Sequence, residues 1–335
     1  MLHDYQTFVY ITGGGKKTSE ERKITNDLVI YTRECLGGGA FGSVFKGRFR
    51  EQPCAVKVLT HHATQLTSPY QTAGAIQDED LKRFMKECKL LERYTHPNVV
   101  RHIETLTDPD NLPLLVMELM DENLTHFLSQ SATLLPLQLQ ISLCHDVACG
   151  LQFLHSNNIV HQDLCSDNVL LKHDGSKLIA AVSDFGISRI IDPDNITRSV
   201  RTVSHREAYM PPVKQWSDSN IYDTSLDVFS FGVVALQIVR KVPKVASPRD
   251  RDSHAQKIKS LVLGEVILLC LQEDKEKRPK TLDIYSYLNK ILSARGEKMK
   301  DVQLLGHGRA FAPLQFESPA GLYPHACRSS YITLL

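Results

Sequence analysis

Gly37, Gly39 and Gly42 form a G-x-G-x-x-G run with Val44 close behind. Glycines at this spacing let backbone N–H groups approach phosphate oxygens. In a dinucleotide-binding unit a helix would follow, with an acidic residue ~20 positions on. Here Ser43-Val44-Phe45-Lys46 reads as a strand, and His61 and His62 stand near the acidic position. The context favours a glycine-rich hairpin over ATP phosphates; a plain flexible hairpin is the structural alternative. The earlier run Gly13-Gly14-Gly15-Lys16-Lys17 lacks the spacing of a phosphate loop and is set aside. Cys54-Ala55-Val56-Lys57 then places a Lys on the next strand pair. A Lys buried beside a nucleotide needs an anion to hold it in place and charged, and Glu87 is the candidate. Asp163 sits in His161-Gln162-Asp163-Leu164, five residues before Asn168, and Asp184 opens Asp184-Phe185-Gly186.

These residues need elements to position them. Strand patterns run over 28–36, 43–49 and 54–59. Residues 61–79 are polar, with Pro69 and Gly74, and read as a loop. Leu81, Phe84, Cys88 and Leu91 recur at helical spacing with Asp80 placed to cap, which puts Glu87 on the inner side. A strand at 114–117 ends this first part. From Pro136 the pattern turns helical, with Leu139, Leu143, Val147, Leu151 and Leu154 on one face. Apolar runs at 169–171 and 178–182 flank Asp174-Gly175, a good hairpin turn. Helices are expected at 226–239, 258–271 and 281–293. Strand-rich first and helix-rich second parts predict a bilobal α+β protein with its boundary near 118–123. Residues 1–27 read as a flexible leader, and the Gly-, Pro- and Ser-rich stretch 295–335 as a disordered tail.

Composition narrows the function classes. Lys+Arg total 39 and Asp+Glu 38, a net charge of +1, so no electrostatic reason points to nucleic acid or an anionic membrane as partner. The richest apolar run, 261–271, contains Glu265 and is too short to span a bilayer. Asp4 and Gln6 interrupt any signal-peptide pattern. The 8 Cys form no C-x-x-C pair and read as reduced thiols of a cytoplasmic protein.

Taken in order, the motifs resemble a eukaryotic protein kinase over about residues 30–294. Asp227-Val228-Phe229-Ser230-Phe231-Gly232 and Arg278-Pro279 match later landmarks of that family. The resemblance implies a small, mainly antiparallel β N-lobe with one helix (about 28–118) and a larger, mainly helical C-lobe (about 123–294). It implies ATP and Mg²⁺ as cofactors, a protein substrate, and transfer of the γ-phosphoryl group to Ser/Thr hydroxyls, with Tyr also open. Leu36, Gly37, Gly38, Gly39, Ala40, Phe41 and Gly42 would cover the phosphates. Lys57 would grip the α and β phosphates, oriented by Glu87. Asp184 and Asn168 would hold magnesium through hard oxygen ligands. Asp163 would accept or orient the acceptor hydroxyl. Val44 and Ala55 would sandwich the adenine, Met117 would lie behind it, and Glu118 and Met120 would offer it backbone groups.

The catalytic loop departs from the family pattern. Gln162 replaces the Arg before the catalytic Asp, and Cys165 replaces the Lys two residues after it. Arg206 falls where a Thr is usual, and Val213 where a Glu pairs with the Arg matching Arg278. The stretch between Gly232 and Leu261 is short and basic, which predicts a truncated helix there. Ala208-Tyr209-Met210 places the chain nearer the tyrosine-kinase-like or Ser/Thr groups. Arg206 either supplies the lost charge near Asp163 or points into solvent. Thr197, Ser199, Thr202 and Ser204 are candidate phosphosites. The alternative to an active kinase is a nucleotide-binding pseudokinase that acts as a scaffold.

Overall fold

Strands of alternating burial beside strands of continuous burial build the first lobe. The computed structural model describes residues 21–38, 42–59, 63, 67, 78–130, 133–190, 207–212 and 223–297. Its main sheet has six antiparallel strands: β1 (Glu21–Lys23), β2 (Leu28–Gly38), β3 (Ser43–Phe49), β4 (Gln52–Val58), β5 (His102–Thr107) and β6 (Pro113–Glu118). Their order across the sheet is β1-β2-β3-β4-β6-β5. Leu28, Ile30, Phe45, Phe49, Cys54, Val56, Val58, Leu114 and Val116 form a core on this sheet. Each such large side chain contributes about 1.5–3 kcal/mol on leaving water.

Helix α1 (Asp78–Arg93) buries Phe84, Glu87, Cys88, Leu90 and Leu91. Asp78, Glu79 and Asp80 fill its first turn, where negative charge complements the helix dipole. The helix therefore starts before the expected Asp80 cap. Ala63 and Thr67 are helical inside the stretch expected to be loop, with the Ala63 N–H donating to Leu59 O at 2.9 Å.

Past β6 the chain forms β7 (Glu122–Asn123), α2 (Leu124–Gln130), α3 (Leu137–Ser156), β8 (Ile159–Val160), β9 (Val169–Asp174), β10 (Lys177–Val182) and β11 (Arg189–Ile190). The helices α4 (Ser225–Arg240), α5 (Pro248–Ala255), α6 (Gly264–Cys270) and α7 (Thr281–Glu297) follow. On α3, the expected Leu143, Val147, Leu151 and Leu154 are buried, while Leu139 packs at the edge. Gly150 permits a close approach: a Cβ there would lie 2.3 Å from Asn98 O. Helix α4 is buried on all sides, every residue from 227 to 239, as befits the centre of a helical lobe. The β9–β10 hairpin turns at Gly175, whose φ of 59° is left-handed. Val182 joins the lobes, donating to Asn98 O at 2.9 Å and accepting from the Val100 N–H at 2.9 Å.

Several boundaries differ from expectation. Strand β1 falls within the stretch read as leader. It adds to the sheet edge by backbone pairing, Glu21 opposite Tyr31, which needs no apolar pattern. Strand β5 was not expected, because its residues are mostly half-buried and lack alternation. The helix expected over 258–271 is only α6; α5 precedes it. Helix α7 runs beyond 293 to Glu297. Among the described residues, no helix is long and apolar enough to cross a membrane.

Candidate functional site

Register places the site. On β4, Lys57 lies opposite Val44 of β3 and Leu115 of β6. Its Nζ donates to Glu87 Oε1 and Oε2, both at 2.8 Å, and to Asp184 Oδ1 at 2.8 Å. Lys57 is 6% exposed and Glu87 2%, whereas the Asp184 side chain is 43% exposed. The constellation thus opens towards solvent on the Asp184 side. Glu87 Oε1 also accepts the Phe185 N–H at 3.3 Å.

Burial works against charge on Lys57, but Asp184 and Glu87 beside it win, and the ammonium titrates above its ordinary value. Burial pushes Asp184 up, yet the Lys57 charge outweighs it and holds the carboxyl below its usual range. Burial pushes Glu87 up against the pull of Lys57. With both of its oxygens on the ammonium, Glu87 is taken as the carboxylate. Asp184 has a φ of 63°, a left-handed conformation costing about 1–3 kcal/mol in a non-glycine residue. The Lys57 contact helps to hold it there.

A second group sits on the loop between β8 and β9. Asn168 Nδ2 donates to Asp163 O at 2.7 Å and to Asp163 Oδ2 at 3.3 Å. Asn168 O accepts from Ser183 N at 2.9 Å and Ser183 Oγ at 3.1 Å, which ties the loop to the residue before Asp184. His161 is fully buried; its Nδ1 accepts the Asp163 N–H at 3.2 Å and its Nε2 donates to Ser183 O at 2.9 Å.

Beneath this loop lies Asp227 of α4, also fully buried. Its Oδ2 accepts from His161 N at 2.7 Å and His155 Nε2 at 2.8 Å, and its Oδ1 from Gln162 N at 2.8 Å. Gln162 has a φ of 68°, so the carboxylate holds a strained turn. Burial pushes Asp227 up, but the His155 hydrogen bond and charge bring it below its ordinary range. Asp227 was visible in the sequence as a landmark, and its anchoring work was not.

The glycine-rich hairpin pairs Gly37 with Val44 and Gly38 with Ser43. At Gly42 a Cβ would lie 2.6 Å from Val58 O, so only glycine fits without a backbone shift. Gly39, Ala40 and Phe41 lie outside the described residues. Leu36 and Val44 are half-buried, and Ala55 is buried opposite Met117. The Glu118 N–H donates to Arg101 O at 3.0 Å, and Glu118 pairs with Cys54 across β4 and β6. The Glu118 carboxylate accepts from Arg101 N at 2.9 Å and Lys172 Nζ at 3.3 Å. Met120 is half-buried just before β7.

This donor set fits a nucleotide triphosphate with a divalent metal. A buried ammonium beside a half-exposed carboxylate suits phosphate on one side and metal on the other. Among the described residues, no group of three or more His, Cys, Asp or Glu is placed to hold a metal unaided. Asp184 and Asn168 are two ligands at most, and magnesium commonly completes its shell with phosphate oxygens and water.

Two of the altered positions, Gln162 and Cys165, are described, and both are neutral. Gln162 Nε2 is buried without a hydrogen-bond partner among the described residues. Cys165 is 1% exposed and packs in the main core. Ser166 Oγ lies 2.7 Å from Thr125 Oγ1 and 3.1 Å from both Tyr209 OH and Gln237 Nε2. Arg278 does have partners: it donates to Gln272 O at 2.8 Å, Ser225 O at 3.0 Å and Glu273 O at 2.9 Å. Arg206, Val213, Thr197, Ser199, Thr202 and Ser204 lie outside the described residues.

Comparison with known proteins agrees with this geometry. The family model described as protein tyrosine and serine/threonine kinase matches residues 30–288. Probable serine/threonine-protein kinase kinY of Dictyostelium discoideum is 27% identical over 88% of this chain and 53% of its own length. Dual specificity testis-specific protein kinase 2 of Mus musculus is 30% identical over 63% of this chain and 34% of its own length. Serine/threonine-protein kinase VIK of Arabidopsis thaliana is 29% identical over 76% of this chain and 58% of its own length. The chain therefore spans about half or less of the first two of these relatives, and somewhat more of the third.

Proposed function

The chain belongs to the protein tyrosine and serine/threonine kinase family, and we propose that it is an active protein kinase using Mg·ATP and acting on Ser or Thr hydroxyls, with Tyr also in range. The observation that carries this is the assembled Lys57–Glu87–Asp184 constellation, with both Glu87 oxygens 2.8 Å from Lys57 Nζ. When bound, Mg·ATP supplies the phosphoryl group and the metal charge that eases its transfer. Lys57 holds phosphate oxygens, and Glu87 fixes its ammonium. Asp184 and Asn168 present oxygens to the metal. Asp163 orients the acceptor hydroxyl and takes its proton. Gly37, Gly38 and Gly42 let the backbone come close to the phosphates.

We place the catalytic unit at about 28–294, with β1 added to its sheet. We assign its work to the cytoplasm, a reading that free Cys54, Cys88 and Cys144 support. One observation favours a scaffold instead. Cys165 offers no cation where the family pattern has Lys.

Thermal shift with Mg·ATP and phosphoryl transfer to a generic protein substrate, run on one sample, decide between the two. The wild type should be stabilised and should transfer. Lys57→Met should lower transfer by at least about 10²–10³-fold, the scale of one lost electrostatic donor. Asp163→Asn should keep the shift and lose transfer. A shift without wild-type transfer supports the scaffold, and no shift sinks both readings.

A further inference from the structure

Residues 207–210 form a strip whose Ala208 and Tyr209 are buried in the main core. We propose that Arg251 is the positioning residue of this strip, which it anchors through backbone carbonyls in a chain that lacks the family's glutamate at position 213. The idea rests on the kinase reading, since it assigns the strip to the acceptor side of the site.

Arg251 lies on α5 and is 5% exposed. Its Nη1 donates to two carbonyls of the strip, Ala208 O at 3.1 Å and Met210 O at 3.3 Å. Its Nε donates to Asp252 Oδ1 at 3.0 Å. The guanidinium lies 4.9 Å from the Phe229 ring centroid, and Arg278 lies 5.1 Å from the same centroid. The carbonyl between the two gripped ones is also taken: Tyr209 O accepts Ser230 Oγ at 2.9 Å. The strip is thus pinned through three successive backbone oxygens. Its Tyr209 hydroxyl then meets Gln237 Oε1 at 2.8 Å and Ser166 Oγ at 3.1 Å, and Ser166 adjoins Cys165 on the catalytic loop. Arg251 acts on the loop through the strip and touches no reacting atom.

Lysine would not serve. A planar guanidinium can stack on Phe229 and still aim two hydrogens of one nitrogen at two carbonyls, whereas a flexible ammonium holds neither geometry. The helix carrying Arg251 is itself fixed. Ser247 Oγ caps it by accepting the Asp250 N–H at 3.2 Å, and the Arg251 N–H donates to Ser247 O at 3.0 Å.

The test is hydrogen exchange on the full chain with Arg251→Lys, followed by kinetics. Exchange of the Met210 amide, which donates to Glu207 O at 3.2 Å, should speed up by about tenfold, as for the loss of one or two net hydrogen bonds. The amides of α4 should stay protected. The KM for protein substrate should rise while ATP affinity holds. Unchanged exchange in the strip, or equal acceleration in α4, overturns the proposal. So does an unchanged KM in a transferring enzyme. If the wild type transfers nothing, the kinase reading fails and the exchange result still decides the anchoring. If Arg251→Lys does not fold, Ser247→Ala, which only uncaps α5, should give the same local acceleration; full protection there overturns the idea.

Discussion

At the nucleotide side of the cleft, Lys57 stands 2.8 Å from each of two carboxylates, and one of these, Asp184, is half open to solvent. At the acceptor side, the residues flanking Asp163 are neutral Gln162, Cys165 and Ser166. There the charges lie a layer deeper. Asp227 holds the backbone of His161 and Gln162, and Arg251 holds that of Ala208 and Met210. A charge that meets a ligand must be reachable. A charge that shapes a loop works best hidden, where the low dielectric strengthens it. Losing cations around Asp163 therefore need not dismantle the loop, because other residues carry its shape.

The comparison breaks most visibly at Asp227. Asp227→Asn keeps the shape but removes the charge that three donors share, and should cost about 3–5 kcal/mol by denaturant unfolding. The pH dependence follows from its lowered pKa. A depressed carboxyl contributes stability fully above its ordinary value of ~3.9, and that contribution is lost as pH falls through the folded-state value. Wild-type melting temperature should thus drop more steeply than the variant's below about pH 4. Parallel curves would show that Asp227 is not the linked group.

Ser166→Ala tests the neutral side. It strips a partner from Thr125, Tyr209 and Gln237, and should cost about 1–3 kcal/mol. Because no charge is involved, this cost should be the same at pH 5 and pH 8. A cost that varies with pH across that range would mean that charge reaches the network after all.

The smallest effect is expected from dephosphorylation. Gln162 cannot make a charge-assisted pair with a phosphate, and its Nε2 is already buried. Phosphatase treatment, or joint replacement of Thr197, Ser199, Thr202 and Ser204 by Ala, should change transfer by less than about twofold, under 0.5 kcal/mol of barrier. A large loss would assign the phosphate to another cation.

Much of the site was legible in the sequence, for local reasons. Glycines spaced to clear a backbone, a Lys on an apolar strand, Asp and Asn five residues apart, and Asp174-Gly175 at a turn each declare themselves within a few positions. Glu87 could be inferred because helical period alone puts it on the buried face of α1. What the tertiary structure alone decided are contacts between distant segments. Gln162 finds Asp227 65 residues on, and Ala208 finds Arg251 43 residues on. Both use backbone groups that every residue carries, so no residue type marks them in advance. Helix α5 has a polar sequence with no apolar period, although Ser247-Pro248 followed by Asp250 was a readable cap. Cys165 is the clearest case. The chain names a missing cation there, and only packing shows a small thiol sealed in the core, since burial is a property of the neighbours a residue meets and not of the residue itself.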